Sequence, residues 1–337
     1  MRKTILCLGE ILLRLSPPGH ELLLQSPQLR ASIAGAEANV AVALASFGHL
    51  ARMLSVLPEL AIAQAAVAEL RRHGVDTSAI ATGEGRMGLF YLVPGAVRRP
   101  SRVEYDRRDS AFVRAPALAD PKPWLSAAQW FHISGITPAL GRNCADFAIE
   151  AAASAQQADV QVSFDGNYRS KLWQGREQET PAILRAMLEN TNVLFGDERD
   201  LSLALGKSFN GATPFDRSRH AIDEAFRTFP KLHTVAFSTR AQLASNHQTY
   251  GADMFTRDTH CQIAPVDLAG IVDRIGTGDA FAAGIIHGKL MEMASQQTLA
   301  FGHAAACLKH SIPGDFLPCD AGTVSALIGN EALDVKR

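Results

Sequence analysis

Two glycines flank one small residue, and an aspartate follows at once, in Asp273-Arg274-Ile275-Gly276-Thr277-Gly278-Asp279. The small apolar run Ala280 to Gly284 comes next and predicts a helix. Gly276 and Gly278 permit a sharp turn whose bare N–H groups point at an anion. The helix adds the positive end of its dipole. A carboxylate at an anion site is repulsive unless it has a task. The obvious task for Asp279 is to take a proton from an attacking hydroxyl. The plain alternative is a glycine turn with Asp279 as a helix cap.

Other segments carry chemistry of the same kind. Gly35-Ala36-Glu37-Ala38-Asn39 precedes a helix; Gly35 allows close backbone approach, and Asn39 offers an amide to sugar hydroxyls or simply sits on the helix surface. Residues 98–108 hold five arginines around a strand. Arginine grips carboxylates and phosphates in a planar fork, yet a charged edge strand reads the same way. Alternation puts Val103, Tyr105 and Arg107 on one face, so Tyr105 and Arg107 could cover a ligand together. Phe164-Asp165-Gly166-Asn167-Tyr168-Arg169 ends a strand with a carboxylate, an amide and a cation, and Arg169 suits an anionic substrate. His303 and Cys307 lie four apart on a helix, but nothing nearby completes a metal site. There is no GxxxxGK[ST], no GxGxxG after the first strand and no GxSxG, which excludes the P-loop, Rossmann and hydrolase-elbow signatures.

The elements that must position these residues alternate regularly. Strands are expected at 4–8, 51–57, 130–134, 160–164, 192–195 and 233–238. Helices are expected at 36–47, 59–73, 143–156, 177–188, 197–205, 216–228, 279–292 and 295–309. Short apolar strands alternating with helices predict a parallel sheet covered on both faces. Ligands of such sheets bind at the carboxyl ends of the strands. Gly9-Glu10, Ser134-Gly135, Asp165-Gly166-Asn167 and Gly196-Asp197 all fall there. Strands at 87–93 and 101–105 are too polar for the main sheet and suggest a small exposed one, joined by part of residues 11–34.

Of the 337 residues, 47% are hydrophobic and 20% charged, so the chain can build a large core and disorder is not expected. A net charge of −1 gives no overall pull toward nucleic acid or an anionic membrane. Five widely spaced cysteines without CxxC fit a reduced, cytoplasmic compartment. The first residues read as a strand rather than a signal peptide, and no apolar run is long enough to span a membrane.

Gly35-Ala36-Glu37-Ala38-Asn39-Val40-Ala41 and the run Asp273 to Gly284 together resemble the two signatures of the ribokinase-like (PfkB) carbohydrate kinases. Order and separation match, and the likeness covers most of the chain. The GAEANVA form and four further motifs are similar to the 2-keto-3-deoxygluconate kinase branch: RPSxVxYDR at 99–107, SGIT at 134–137, DxNYRxKLW at 165–173 and PGDF at 313–316.

The resemblance implies one α/β domain over residues 1–337. It would have a mostly parallel sheet, helices on both faces, and a small β lid from parts of 11–34 and 86–113. It implies ATP- and Mg²⁺-dependent phosphoryl transfer to the primary hydroxyl of 2-keto-3-deoxygluconate. The alternatives are its galactonate epimer, a neutral sugar such as fructose or ribose, or a non-catalytic sugar-acid or nucleotide sensor on the same fold. Asp279 would be the base, and the amides of Gly276, Thr277 and Gly278 the anion hole. Gly35, Asn39, Tyr105, Arg107, Ile136, Arg169 and Asp315 would line the sugar pocket, with an aromatic contact from Tyr91 or Phe90. Asp197 and Ser238 would touch the nucleotide. Partners would be the sugar acid and ATP; charge and hydropathy point to no nucleic acid and no membrane, and the free edges of an exposed lid sheet could pair in a homo-oligomer.

Some positions depart from the family pattern. Asp197-Glu198-Arg199-Asp200 stands where relatives carry Asn-x-x-Glu, leaving Asp200 as an indirect Mg²⁺ contact. Ser238 to Leu243 lacks the glycines of the segment that lies over the nucleotide. Thr277 replaces a commoner alanine, and Pro58-Glu59 replaces a Gly-x-Asp turn.

Overall fold

A computed structural model describes residues 2–328. β1 (Thr4–Leu8) sends Ile5 and Cys7 into one apolar cluster and Leu6 and Leu8 into another. A strand buried on both faces needs cover on both. β2 (Leu12–Ser16) and β3 (Arg30–Ala34) leave the main sheet. α1 (Ala36–Ser46) follows; its small apolar residues are buried almost all round. β4 (Leu50–Leu57) pairs with β1 in parallel, and α2 (Ala61–Arg72) leads to the short edge strand β5 (Ile80–Thr82).

β6 (Gly88–Val93) and β7 (Arg102–Asp106) pair antiparallel and join β2 and β3 in a second sheet, ordered β3-β2-β6-β7. This is the small lid expected from the polar strands. The register places Leu12, Arg14, Phe90, Leu92, Val103 and Tyr105 on one face. That face turns toward the main body, since its apolar cluster includes Ile275 of the glycine turn.

Two single-turn helices, α3 (Ala111–Arg114) and α4 (Lys122–Leu125), return the chain to β8 (Trp130–Ser134). Then come α5 (Ile136–Ala139), α6 (Arg142–Gln157), β9 (Gln161–Asp165), α7 (Thr180–Leu188) and β10 (Val193–Phe195). α7 starts three residues later than expected because 173–179 form turns ahead of Pro181. α8 (Glu198–Leu205) and α9 (Pro214–Thr228) each begin with a capping box.

β11 (Thr234–Ala244) runs six residues beyond the expected end at Ser238. It continues because β12 (His247–Thr256) folds back on it, and β13 (His260–Ala269) closes the edge. This antiparallel pair carries no clean alternation in sequence. The register slips near Gly251, and β13 is a mostly exposed edge that tolerates Pro265. The main sheet is therefore ordered β13-β12-β11-β10-β9-β8-β1-β4-β5, parallel from β11 to β5. α10 (Thr277–Leu290), α11 (Ser295–Lys309) and α12 (Ala321–Ile328) complete the chain; α10 and α11 pack, with α1, on one sheet face. Gly284 and Gly302 lie at the α10–α11 crossing, where a Cβ on either would meet the opposite helix. No described helix is long and apolar enough to cross a membrane.

Candidate active site

The carboxyl ends of β1, β8, β9 and β10 each continue into a glycine that makes one more ladder bond. Gly9, Gly135, Gly166 and Gly196 donate to Leu54, Asp165, Phe195 and Ala236. The next polar groups therefore sit at one edge of the sheet. Glu37 ties the start of α1 to this edge: its Oε1 accepts from the Ser134 amide at 2.8 Å and the Ser134 hydroxyl at 2.6 Å. Its carboxylate also lies against Gly9, where a Cβ would overlap it. Burial raises the Glu37 pKa.

The glycine turn closes the site from the other side. Gly276 caps α10 at φ 80°, a left-handed conformation that suits glycine, and a Cβ there would overlap the Asp315 carbonyl oxygen. No acceptor among the described residues bonds the amides of Gly276, Thr277 or Gly278. They open the N-terminus of a 14-residue helix whose dipole favours an anion.

Asp279 stands one turn in, and Asn39 Nδ2 donates to its Oδ2 at 2.6 Å. The two signature segments, 240 residues apart, thus meet in one hydrogen bond. Asp279 keeps partial solvent access while protein surrounds its carboxylate. Burial lifts its pKa to about 7, opposed by the Asn39 bond and reinforced by Asp315 and Glu37. A carboxyl group balanced near neutrality is suited to accept a proton. Asp165 is pushed well up, first by burial and then by Asp279.

The remaining expected residues divide. Gly35 caps α1 with its backbone against the Glu10 carbonyl. Ile136 is buried just past Ser134-Gly135. Tyr105 lies on the inner lid face, 6.5 Å between ring centroids from Phe90. Tyr91 points to the opposite lid face, because neighbours in a strand alternate; of the two aromatics, only Phe90 faces the site. Arg107 is buried, and its Nε donates to Glu10 Oε2 at 2.6 Å. Glu10 Oε1 is enclosed and unpartnered. Arg169 is exposed, and its charge favours the ionised forms of Asp165, Asp200 and Asp279. Asp315 is buried and accepts from Arg14 at 2.6 Å. Sequence reasoning put Gly9-Glu10 at a ligand-facing strand end without giving Glu10 a role, and missed Arg14 and Glu37; a charge inside an apolar run was the available signal.

Asp197 and Asp200 cap α8. Asp197 Oδ1 accepts from the Arg199 amide at 2.9 Å, and Asp200 Oδ2 from the Asp197 amide at 3.1 Å. Asp200 Oδ1 stays buried without a partner, and burial lifts its pKa to about 6. No group of three His, Cys, Asp or Glu among the described residues could cage a metal. One orphaned carboxylate oxygen beside Asp165 fits a Mg²⁺ that keeps most of its water. Ser238 lies mid-strand in β11, opposite Ala252, and pairing with β12 continues through Gln242. The hairpin tip beyond it reaches the lid instead, with the Ser245 amide donating to Val97 at 3.2 Å.

The model of the pfkB family carbohydrate kinases matches residues 2–317. The chain is 33% identical over 316 residues to a 2-dehydro-3-deoxygalactonokinase of Haloferax volcanii, covering 94% of this chain and 93% of that one. It is 27% identical over 286 residues to a 2-dehydro-3-deoxygluconokinase of Bacillus subtilis, covering 84% and 82%. The crystal structure of a 2-dehydro-3-deoxygluconokinase from Thermotoga maritima superposes with a TM-score of 0.92 at 35% identity, covering 98% and 99%. With both signatures joined at Asn39 and Asp279, the chain belongs to the pfkB family of carbohydrate kinases.

Proposed function

We propose that this kinase transfers the γ-phosphoryl group of ATP to the primary hydroxyl of 2-dehydro-3-deoxygluconate or its galactonate epimer. The observation that carries the reading is Asp279 beside three unbonded amides at a helix N-terminus, under a lid that contributes Arg107. Asp279 accepts the hydroxyl proton, and the freed oxygen attacks phosphorus as the bond to the β-phosphate oxygen breaks. The amides of Gly276, Thr277 and Gly278 meet the charge that develops on the transferring group. Asn39 holds the Asp279 carboxylate, and Gly35 and Ile136 shape the pocket wall. Asp197 and Ser238 act as nucleotide contacts. Asp200 and Asp165 would hold Mg²⁺ through water; the ion neutralises phosphate charge when bound.

The sugar-acid reading rests on arginine. Arg107 has its Nε fixed by Glu10, and its Nη groups bond nothing else among the described residues. Arg169 lies exposed, and its charge favours the ionised form of Asp279. A carboxylate-bearing substrate uses such groups, and a neutral sugar does not. The Haloferax and Bacillus relatives carry different epimer names, so both epimers are in scope. The whole chain works as one unit with the small sheet as its lid. The outer lid face, with Leu15, Leu89, Tyr91 and Val93 half-buried, is where a second copy would pair.

The test is ADP release from MgATP with both keto-deoxy acids, gluconate, fructose and ribose. Saturable turnover confined to the two acids supports the reading, and their kcat/KM ratio assigns the epimer. Preference for fructose or ribose keeps the kinase and removes the arginine argument.

A further inference from the structure

We infer that Arg14 is a positioning residue, clamping the lid to the glycine turn and to the Pro313–Phe316 segment so that the anion-hole amides are held for phosphoryl transfer. This rests on the reading of Gly276–Asp279 as the phosphoryl site. Arg14 lies on β2, on the inner lid face beside Phe90, and is 7% exposed. All three guanidinium nitrogens are engaged. Nη1 donates to Asp315 Oδ1 at 2.6 Å, Nη2 pairs with Asp273 Oδ2 at 2.8 Å, and Nε donates to Ser16 Oγ at 3.1 Å.

The two carboxylates are themselves fixed to the turns they serve. Asp273 Oδ1 accepts from the Ile275 amide at 3.0 Å, and Oδ2 from the Gly314 amide at 3.1 Å. The Asp315 carbonyl lies directly under Gly276. Lys309, fully buried at the end of α11, bonds the Ile312 carbonyl at 2.9 Å and adds a second cation facing the same carboxylates. Two cations and two carboxylates thus meet where the lid, the glycine turn and the 313–316 segment converge.

A buried ion pair adds little net stability over a well-packed apolar substitute. What a forked guanidinium adds is geometry, because one rigid plane fixes two acceptors at once. Amides that act only on the transition state are sensitive to that geometry; displacement by about 1 Å can cost ~10²-fold in rate.

The test compares wild type with Arg14→Lys and Arg14→Met. Lysine keeps the charge but lacks the planar fork that fixes the two carboxylates relative to each other. We expect Arg14→Lys to melt near the wild-type temperature, with kcat lower by about 10–100-fold and KM for the sugar acid nearly unchanged. Hydrogen–deuterium exchange should quicken in peptides covering 274–279 and 313–316, and not in α6 or β9. Should Arg14→Met fail to fold, Arg14→Lys alone carries the test. Unchanged exchange, or kcat within twofold of wild type, overturns the inference. Faster exchange in a protein whose wild type phosphorylates none of the acids keeps Arg14 as the clamp and removes the phosphoryl reading instead.

Discussion

Asp279→Asn should abolish most turnover and make the folded protein more stable at alkaline pH. The side chains are nearly isosteric, and an amide oxygen can still accept the Asn39 bond. What is lost is a charge that the fold holds unwillingly. In the folded state the carboxyl titrates at about 7, against 3.8 for its ordinary value. A raised acid pKa means that the folded state binds its proton more tightly than the unfolded chain. The stability this contributes is fully present below pH 3.8 and is lost as pH rises through about 7. Three pKa units correspond to roughly 4 kcal/mol at 1.36 kcal/mol each. Partial solvent access screens some of this, leaving about 2–4 kcal/mol. Relief of Asp165, whose pKa Asp279 helps to raise, adds with the same sign.

The assay is urea unfolding of both proteins at pH 4, 6 and 8, beside their turnover at pH 8. The variant should match wild type at pH 4 and exceed it increasingly toward pH 8. Turnover should fall about 10²–10⁴-fold, the range that loss of a general base produces. A variant no more stable at pH 8 than at pH 4, relative to wild type, would refute the electrostatic account. Turnover within tenfold of wild type would remove Asp279 as the base, whatever the stability shows.

Asn39→Ala removes the donor that favours the ionised carboxylate, so the acid limb of the kcat/KM profile should move up from about pH 7 by roughly one unit; an unmoved limb contradicts the role given to Asn39. Arg107→Ala strands a buried Glu10 and should cost about 3–5 kcal/mol, most of it recovered by adding Glu10→Gln, while KM for the sugar acid stays high in both; denaturant titration and initial rates decide it. Arg169→Ala touches an exposed side chain, so stability should change by less than about 0.5 kcal/mol. Its KM for the sugar acid should rise more than its KM for any neutral sugar accepted, and equal effects would remove the carboxylate argument.

Much of the main sheet was legible because its strands are short apolar runs between amphipathic helices. The lid was legible by its polarity, clearest in 102–106, where charged and apolar residues alternate as they do not in the core strands. The β12–β13 pair was not, because an exposed edge with a proline and a bulge has neither signal. The ends of β11 and α7 moved for tertiary and turn reasons that a window of sequence does not contain. The glycine turn and the helix start that holds Asp279 were legible in the sequence, and the choice between Phe90 and Tyr91 needed only the phase of one strand.

The charged residues to which sequence reading gave no role share one property: each is buried against a partner far along the chain. Glu10 meets Arg107 across 97 residues, Glu37 meets Ser134 across 97, and Arg14 meets Asp315 across 301. A lone charge in an apolar run looks like an interruption until its counter-charge is known. Burying it alone is prohibitive, so the partner must exist, yet nothing local names it. In this fold those partners converge on one region, around Asp279 and under the lid. An unexplained charge at a strand end or inside a lid strand is then itself a pointer to the site. Arg14 interrupts the second strand because that strand must hold the glycine turn, and the same reasoning makes Glu10 the residue that aims Arg107.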